Sequence, residues 1–223
     1  MASEKSIKKF VFSNSCLWKI YLLIRGLRKR GSLKITNNGM IRIKKTIRGN
    51  DNQLIVGKGT ILNGTVIHMI GNNNKIVFGS NVNIGKECSF WTEGNNITIT
   101  IGNDTTFNSK VHVNAQENNT SITIGNDCMF SNSIIIRTSD SHPIYDITSG
   151  ERINSAKNVL IEDHVWIAPN SKVMKGVVIG SGSIIGSDTM VTKDVPSNTL
   201  AVGHPAKVVK KGIKWTKEDV IFK

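Results

Sequence analysis

The chain has 223 residues, enough for one large domain or one domain with a short extension. Its hydrophobic content of 39%, with 20 glycines and only four prolines, excludes collagenous and disordered classes. The net charge of +13 is concentrated: residues 1–50 hold thirteen Lys and Arg against the single acid Glu4, while the remainder holds sixteen against fifteen.

No aromatic interleaving or nucleic-acid motif accompanies the basic segment, so nucleic acid is not the expected partner. Cys16, Cys88 and Cys128 are far apart, with no CxxC or Cys/His spacing, so free thiols and no metal are expected. The start, Met1 to Lys9, lacks the shape of a signal peptide. The longest apolar run, Leu17 to Ile24, is interrupted by Lys19 and too short to span a bilayer. A cytoplasmic protein is the expectation, peripheral at the inner membrane face if its basic segment touches lipid.

Residues 1–48 read as a basic, partly helical N-terminal arm. Leu17, Ile20, Tyr21, Ile24 and Leu27 fall at helical spacing, edged or followed by Lys19, Arg25, Arg28, Lys29 and Arg30. Three uses stay open for it: contact with an anionic membrane surface, a cap over the end of the fold, or a surface steering an acidic glycan.

Residues 49–195 carry a repeat. From Ile161 an aliphatic residue recurs every six positions, through Ile167, Val173, Ile179 and Ile185 to Val191. A period of six fits neither a helix nor one long strand. It fits a coil of three short faces, each sending one side chain inward, stacked into a solenoid. Upstream, the triplets Phe78/Ile84/Phe90, Ile101/Phe107/Val113 and Ile124/Phe130/Ile136 repeat with an offset of 23. Their extra residues are Asn-rich segments at 71–74, 94–96 and 117–119, and Asn and Gly tolerate the positive φ of a corner. Roughly four expanded coils and two tight ones are expected.

One polar segment, 137–158, interrupts the hexads, and a single break in a regular solenoid is where function concentrates. Of five histidines (His68, His112, His142, His164 and His204), only His142 lies in it, ahead of Pro143, which restricts its backbone.

The ordered set Ser139-Asp140-Ser141-His142-Pro143-Ile144-Tyr145-Asp146, Val165-Trp166-Ile167, Val191-Thr192-Lys193 and Gly203-His204-Pro205-Ala206-Lys207 resembles the hexapeptide-repeat acetyltransferase superfamily. Within it, the set is more similar to the bacterial capsule and polysialic-acid O-acetyltransferases than to the galactoside and maltose O-acetyltransferases. The resemblance implies an all-β, left-handed parallel β-helix, a homotrimer with sites between subunits, acetyl-CoA as co-substrate and a sugar or polysaccharide hydroxyl as acceptor. It also implies His142 as general base, since a neutral imidazole can take the proton of the attacking hydroxyl.

By the same resemblance Trp166 lines the acetyl-CoA channel, and Ala168 and Ser187 face the pantetheine arm. Thr192, Lys193, Lys207 and Lys210 attend the phosphates. On the acceptor side the candidates are His112, Asp140 and Arg152, while Asp140, Asp146 or Glu151 could orient His142. Ala168 and His204 depart from the usual residues at their positions. Residues 196–223 read as a coenzyme A-proximal segment with a short helix after Thr216. The rival readings are an N-acetyltransferase of an amino sugar nucleotide, a zinc-dependent β-helix enzyme resembling γ-class carbonic anhydrase, and a non-catalytic scaffold.

Overall fold

A computed structural model of the chain describes residues 31–218; the stripe at 17–27 and Cys16 lie outside them. These residues form seven stacked coils. The first holds β1 (Leu33–Asn37) and β2 (Met40–Arg48), the second β3 (Asn52–Val56) and β4 (Ile61–Ile70). The third holds β5 (Lys75–Phe78), β6 (Asn83–Ile84) and β7 (Ser89–Glu93), and the fourth β8 (Thr98–Ile101), β9 (Thr106–Phe107) and β10 (His112–Gln116). The fifth holds β11 (Ser121–Ile124), β12 (Met129–Phe130) and β13 (Ile135–Arg137), after which the polar loop emerges. The sixth is β14 (Val159–Ile161), β15 (Trp166–Ile167) and β16 (Lys172–Val173). The seventh is β17 (Val178–Ile179), β18 (Ile184–Ile185) and β19 (Met190–Val191). β20 (Thr199–Val202) extends the stack, and β21 (Lys207–Lys211) folds back on it, the one antiparallel pair among the described strands.

Three faces result. The first is the seven-stranded sheet β1-β3-β5-β8-β11-β14-β17. The second runs β4-β6-β9-β12-β15-β18-β20 and the third β4-β7-β10-β13-β16-β19. They form one continuous sheet because β4 rounds a corner, Ile61–Leu62 pairing with β6 and Val66–Ile70 with β7. Gly64, at φ 73°, is the extra residue that makes this bend, since Arg42 lies opposite Asn63 and Ile43 opposite Thr65.

The hexad residues point inward as the period requires. All six from Ile161 to Val191 are fully buried, and the Phe-containing triplets lie in the same column. Phe78, Phe90, Phe107 and Phe130 stack successively, with Phe107 and Phe130 parallel at 4.4 Å. Cys88 and Cys128 are free and buried among them, and burial pushes the Cys128 thiol up to about 11.

The Asn-rich segments are corners. Asn73, Asn96 and Asn119 sit at φ 55–60°, and the side-chain amides of Asn73 and Asn96 each donate to the next coil's Oδ1 at 2.9 and 3.0 Å. Beneath them Asn74 is fully buried. Its Oδ1 accepts the Ile97 N–H at 2.9 Å, and its Nδ2 donates to Gly94 O at 2.9 Å.

Two boundaries differ from the sequence reading. The solenoid begins at Leu33 instead of residue 49, because β1 and β2 pair in parallel with β3 and β4. The basic residues of 33–48 therefore decorate strands, and of the expected arm only residues 1–30 stay outside the description. At the other end, 213–218 contain no helix; Thr216 Oγ1 accepts the Glu218 N–H at 3.1 Å, and Asp219 lies outside the described residues. No helix among the described residues is long and apolar enough to cross a membrane.

Removing the Asn74 amide strands a buried N–H and a buried carbonyl, whereas Asn72 stands on the exposed side of the same corner. Asn74→Ala is expected to cost about 2–3 kcal/mol and Asn72→Ala less than about 1 kcal/mol, measured by urea denaturation. Equal losses would contradict the buried role of Asn74.

Candidate active site

The loop leaves the corner between the third and first faces, after β13, and returns at β14. Polar bonds pin its base. Glu117, at the end of an Asn-rich corner, takes Arg152 bidentately at 2.7 and 2.8 Å and the Ser139 hydroxyl at 2.7 Å. The Arg152 bond is the largest influence on Glu117 and holds its carboxyl down at about 2. Arg137 donates to Ser139 O at 2.6 Å and to Ser141 Oγ at 3.1 Å, and Ser141 Oγ donates to Gln116 at 2.8 Å. Ser141 is held at φ 70°, a conformation uncommon outside glycine, directly before His142.

His142 is exposed on the single chain, and among the described residues its ring makes no hydrogen bond. Its backbone is fixed by Asn154, which is 8% exposed. The Asn154 amide donates to His142 O at 2.9 Å and accepts the Ile144 N–H at 2.7 Å, so one side chain brackets the His142–Pro143 pair. Its Nδ2 also donates to Asp140 at 3.0 Å, its main-chain carbonyl accepts from Lys175 at 2.7 Å, and Lys175 pairs with Asp140. That Lys175 bond is the main reason the Asp140 carboxyl lies below its ordinary range.

These bonds change the roles expected of three acids and one base. None of Asp140, Asp146 or Glu151 touches the imidazole. Asp140 acts on it only through Asn154, and Asp146 caps the Thr148 and Ser149 N–H groups at 2.9 and 2.8 Å at the loop tip. The Arg152 guanidinium, expected at the acceptor, is occupied by Glu117. His112 lies on the third face, its Nδ1 2.7 Å from Ser89 Oγ.

The expected acetyl-CoA residues are elsewhere. Trp166 sits on β15 in the second face, opposite the corner that bears the loop. Its Nε1 lies 3.5 Å from Ser131 Oγ, and its indole packs at 5.9 Å against Trp215. Ala168 and Ser187 lie on successive coils at the corner between the second and third faces, one register position apart. The Ala168 N–H is spent on Ile185 O at 2.8 Å; the Ser187 N–H is unpaired among the described residues. The exposed Lys207 and Lys210 of β21 extend the second face with two cations. Thr192 and Lys193 do not join this group. They follow β19 at the corner between the third and first faces, on the loop's side.

Sequence reasoning missed Asn154 and Trp215. Trp215 is 7% exposed, lies flat on the His164 ring at 4.1 Å, and donates its Nε1–H to His164 O at 3.0 Å. Neither residue belongs to a hexad, and no spacing signals either contact.

Glu117 binds Arg152 as a carboxylate, so the tether is complete above the ordinary Glu range near 4.5. It weakens as pH falls from there through about 2. Protease cleavage within 141–152 is expected to be constant from neutral pH to about 5 and to rise below it. Glu117→Gln should cut readily at every pH; an unchanged profile would refute the tether.

Similarities to known proteins agree with this geometry. Residues 158–193 match the bacterial transferase hexapeptide family (six repeats). A polysialic acid O-acetyltransferase of Escherichia coli is 45% identical over 85 residues, 38% of this chain and 28% of that protein. A putative acetyltransferase of Schizosaccharomyces pombe is 45% identical over 71 residues, 32% of this chain and 34% of that protein. The matched segments thus span about a third or less of these curated relatives. Among solved structures, the polysialic acid O-acetyltransferase OatWY is 30% identical with a TM-score of 0.75, covering 86% of this chain and 90% of its own. The polySia-specific acetyltransferase NeuO is 33% identical with a TM-score of 0.55, covering 86% and 91%. With identity of this order sustained over nine-tenths of a solved relative, and a prism of parallel hexad coils to carry it, the chain belongs to the hexapeptide-repeat acetyltransferase superfamily, whose coils are left-handed.

Proposed function

We propose that this protein moves the acetyl group of acetyl-CoA onto a hydroxyl of a sugar, most simply one in an acidic surface polysaccharide, at sites formed between copies of the chain. The observation that carries the reading is the separation of the two half-sites. The His142 loop leaves one corner of the prism, and Trp166 lies on the face opposite that corner. A closed ring of three copies brings each loop against a neighbour's second face.

In that arrangement His142 accepts the proton of the acceptor hydroxyl as its oxygen attacks the thioester carbonyl. The new C–O bond forms, the C–S bond breaks, and the departing thiolate takes the proton from the imidazolium. Transfer is direct, with no acetylated residue on the chain. Trp166 walls the channel, the Ser187 N–H meets a pantetheine carbonyl, and Lys207 and Lys210 meet phosphates. Thr192 and Lys193, on the loop side, reach the cofactor of the neighbouring site. Relatives whose names specify polysialic acid support a sialic-acid-type polymer as acceptor. A cytoplasmic setting belongs to the same reading, in keeping with the free thiols of Cys88 and Cys128.

His142→Ala is expected to lower kcat by about 10²–10⁴-fold with the KM for acetyl-CoA little changed. Co-assembled His142→Ala and Trp166→Ala chains should recover activity, because some interfaces then hold both wild-type residues; no recovery would place the two in one chain's site. Asn154→Ala, which frees the His142 backbone without touching its ring, is expected to lower kcat by about 10²-fold at unchanged acetyl-CoA KM. An unaltered kcat would show that the bracket has no part in positioning the base.

A further inference from the structure

The outward side of the third face carries a feature that the acetyl-transfer chemistry leaves unused. Its central row, read across the strands, is Thr46, His68, Trp91, Asn114 and Arg137. Trp91 is 37% exposed although it points away from the core. One side of its indole rests on the His68 ring, with centroids 3.9 Å apart and planes inclined by 37°. Beneath it, His68 Nε2 is buried without a hydrogen-bond partner. A buried polar atom left unpaired costs about 1–3 kcal/mol, so the stacked pair is not explained by stability alone.

The surroundings are basic. Lys44 and Arg48 flank the row on β2, Lys172 lies on β16, and Arg137 ends the row. The nearby acid, Glu93, accepts a bond from Gln116 at 2.9 Å. Burial lowers the His68 pKa, with Glu93 opposing and Arg48 reinforcing that shift, so the imidazole beneath the indole stays neutral near pH 7. Arg137 lies two strands from Trp91, about 10 Å at the usual strand spacing, and it grips Ser139 and Ser141 next to His142.

We infer that this row is an acceptor track: Trp91 stacks on a sugar ring of an acidic polysaccharide several units away from the hydroxyl presented to His142. An indole braced on one side and open on the other is a rigid apolar platform for the C–H face of a pyranose. The flanking cations attract the chain's carboxylates and hold it along the row. The protein therefore acts on polymer in preference to a monomeric precursor. This inference deepens the acetyltransferase reading and rests on it for the position of the reacting hydroxyl.

Direct binding separates the two. Titrating oligosialic acids of increasing length into the His142→Ala protein, without acetyl-CoA, should give affinity that rises with length until the chain spans the row. Adding Trp91→Ala should weaken the longest oligomer about tenfold and flatten the length dependence, while Trp91→Phe keeps most of it. Acetyl-CoA affinity and native mass should not change. No binding, an unaltered length series in Trp91→Ala, or a change of oligomeric mass that marks the face as a subunit contact would each overturn the track. Retained turnover in His142→Ala would instead overturn the base assignment and leave the binding result standing.

Discussion

Along the coils of this prism the backbone N–H groups donate to the neighbouring coil: Gln53 to Asn74 O, Lys75 to Ile97 O, Thr98 to Thr120 O. Everything else follows from keeping that ladder paired, because an unpaired backbone group on a buried face is costly. Faces must stay in register, so the corners must repeat one conformation. Asn81, Asp104, Asp127 and His164 occupy one such corner on successive coils at φ 55–58°. An insertion within a face would break the ladder, and only a corner can hold one. After β11 the pairing resumes at Val159 with an offset of 37 in place of 23, and the surplus chain is the His142 loop.

The same constraint divides the site. A three-faced column sets each corner opposite a face, so the loop's corner and the second face lie on opposite sides of a single copy. His142, Asn154, Thr192 and Lys193 fall on one side; Trp166, Ala168, Ser187, Lys207 and Lys210 fall on the other. A rigid solenoid cannot bend to bring them together, because bending would strip inter-coil bonds. In the proposed function, assembly with a second copy is what closes the site.

The fold was legible in the sequence where one residue type has one geometric duty. Ile161 to Val191 at six-residue steps could point only inward, and Asn73, Asn96 and Asn119 at a fixed offset could only be corners. The first coil hid because its strands carry Lys44, Lys45 and Arg48, and its inward Ile41, Ile43 and Ile47 are only partly covered at the end of the stack. Within the candidate site, His142 stands out in the sequence as the one histidine in the break. The pairing of Arg152 was hidden because its partner Glu117 lies 35 residues away in an apparent turn. Asn154 had no signature at all: an amide that brackets the residues at 142 and 144 is visible only after the loop has closed on itself.

The C-terminal segment shows how far the site reaches beyond the repeat. His164 takes a corner position held by Asn or Asp on the preceding coils, and its ring projects outward to meet Asp127 at 2.7 Å and Trp215 O at 3.1 Å. The indole of Trp215 lies flat on that ring, and Lys217 fastens the segment to Asp127 at 2.7 Å and to Asp104 O at 2.8 Å. Burial would raise the Asp127 carboxyl, yet its bonds to Lys217 and His164 lower it overall, so these contacts outweigh its desolvation. Trp166, two residues after His164 on the same coil, then packs against the other aromatic of the set. The wall ascribed to Trp166 is therefore braced by a residue outside every hexad. The second half of the proposed site thus leans on the chain's last described turn, and the coil that supplies Trp166 does not brace it alone.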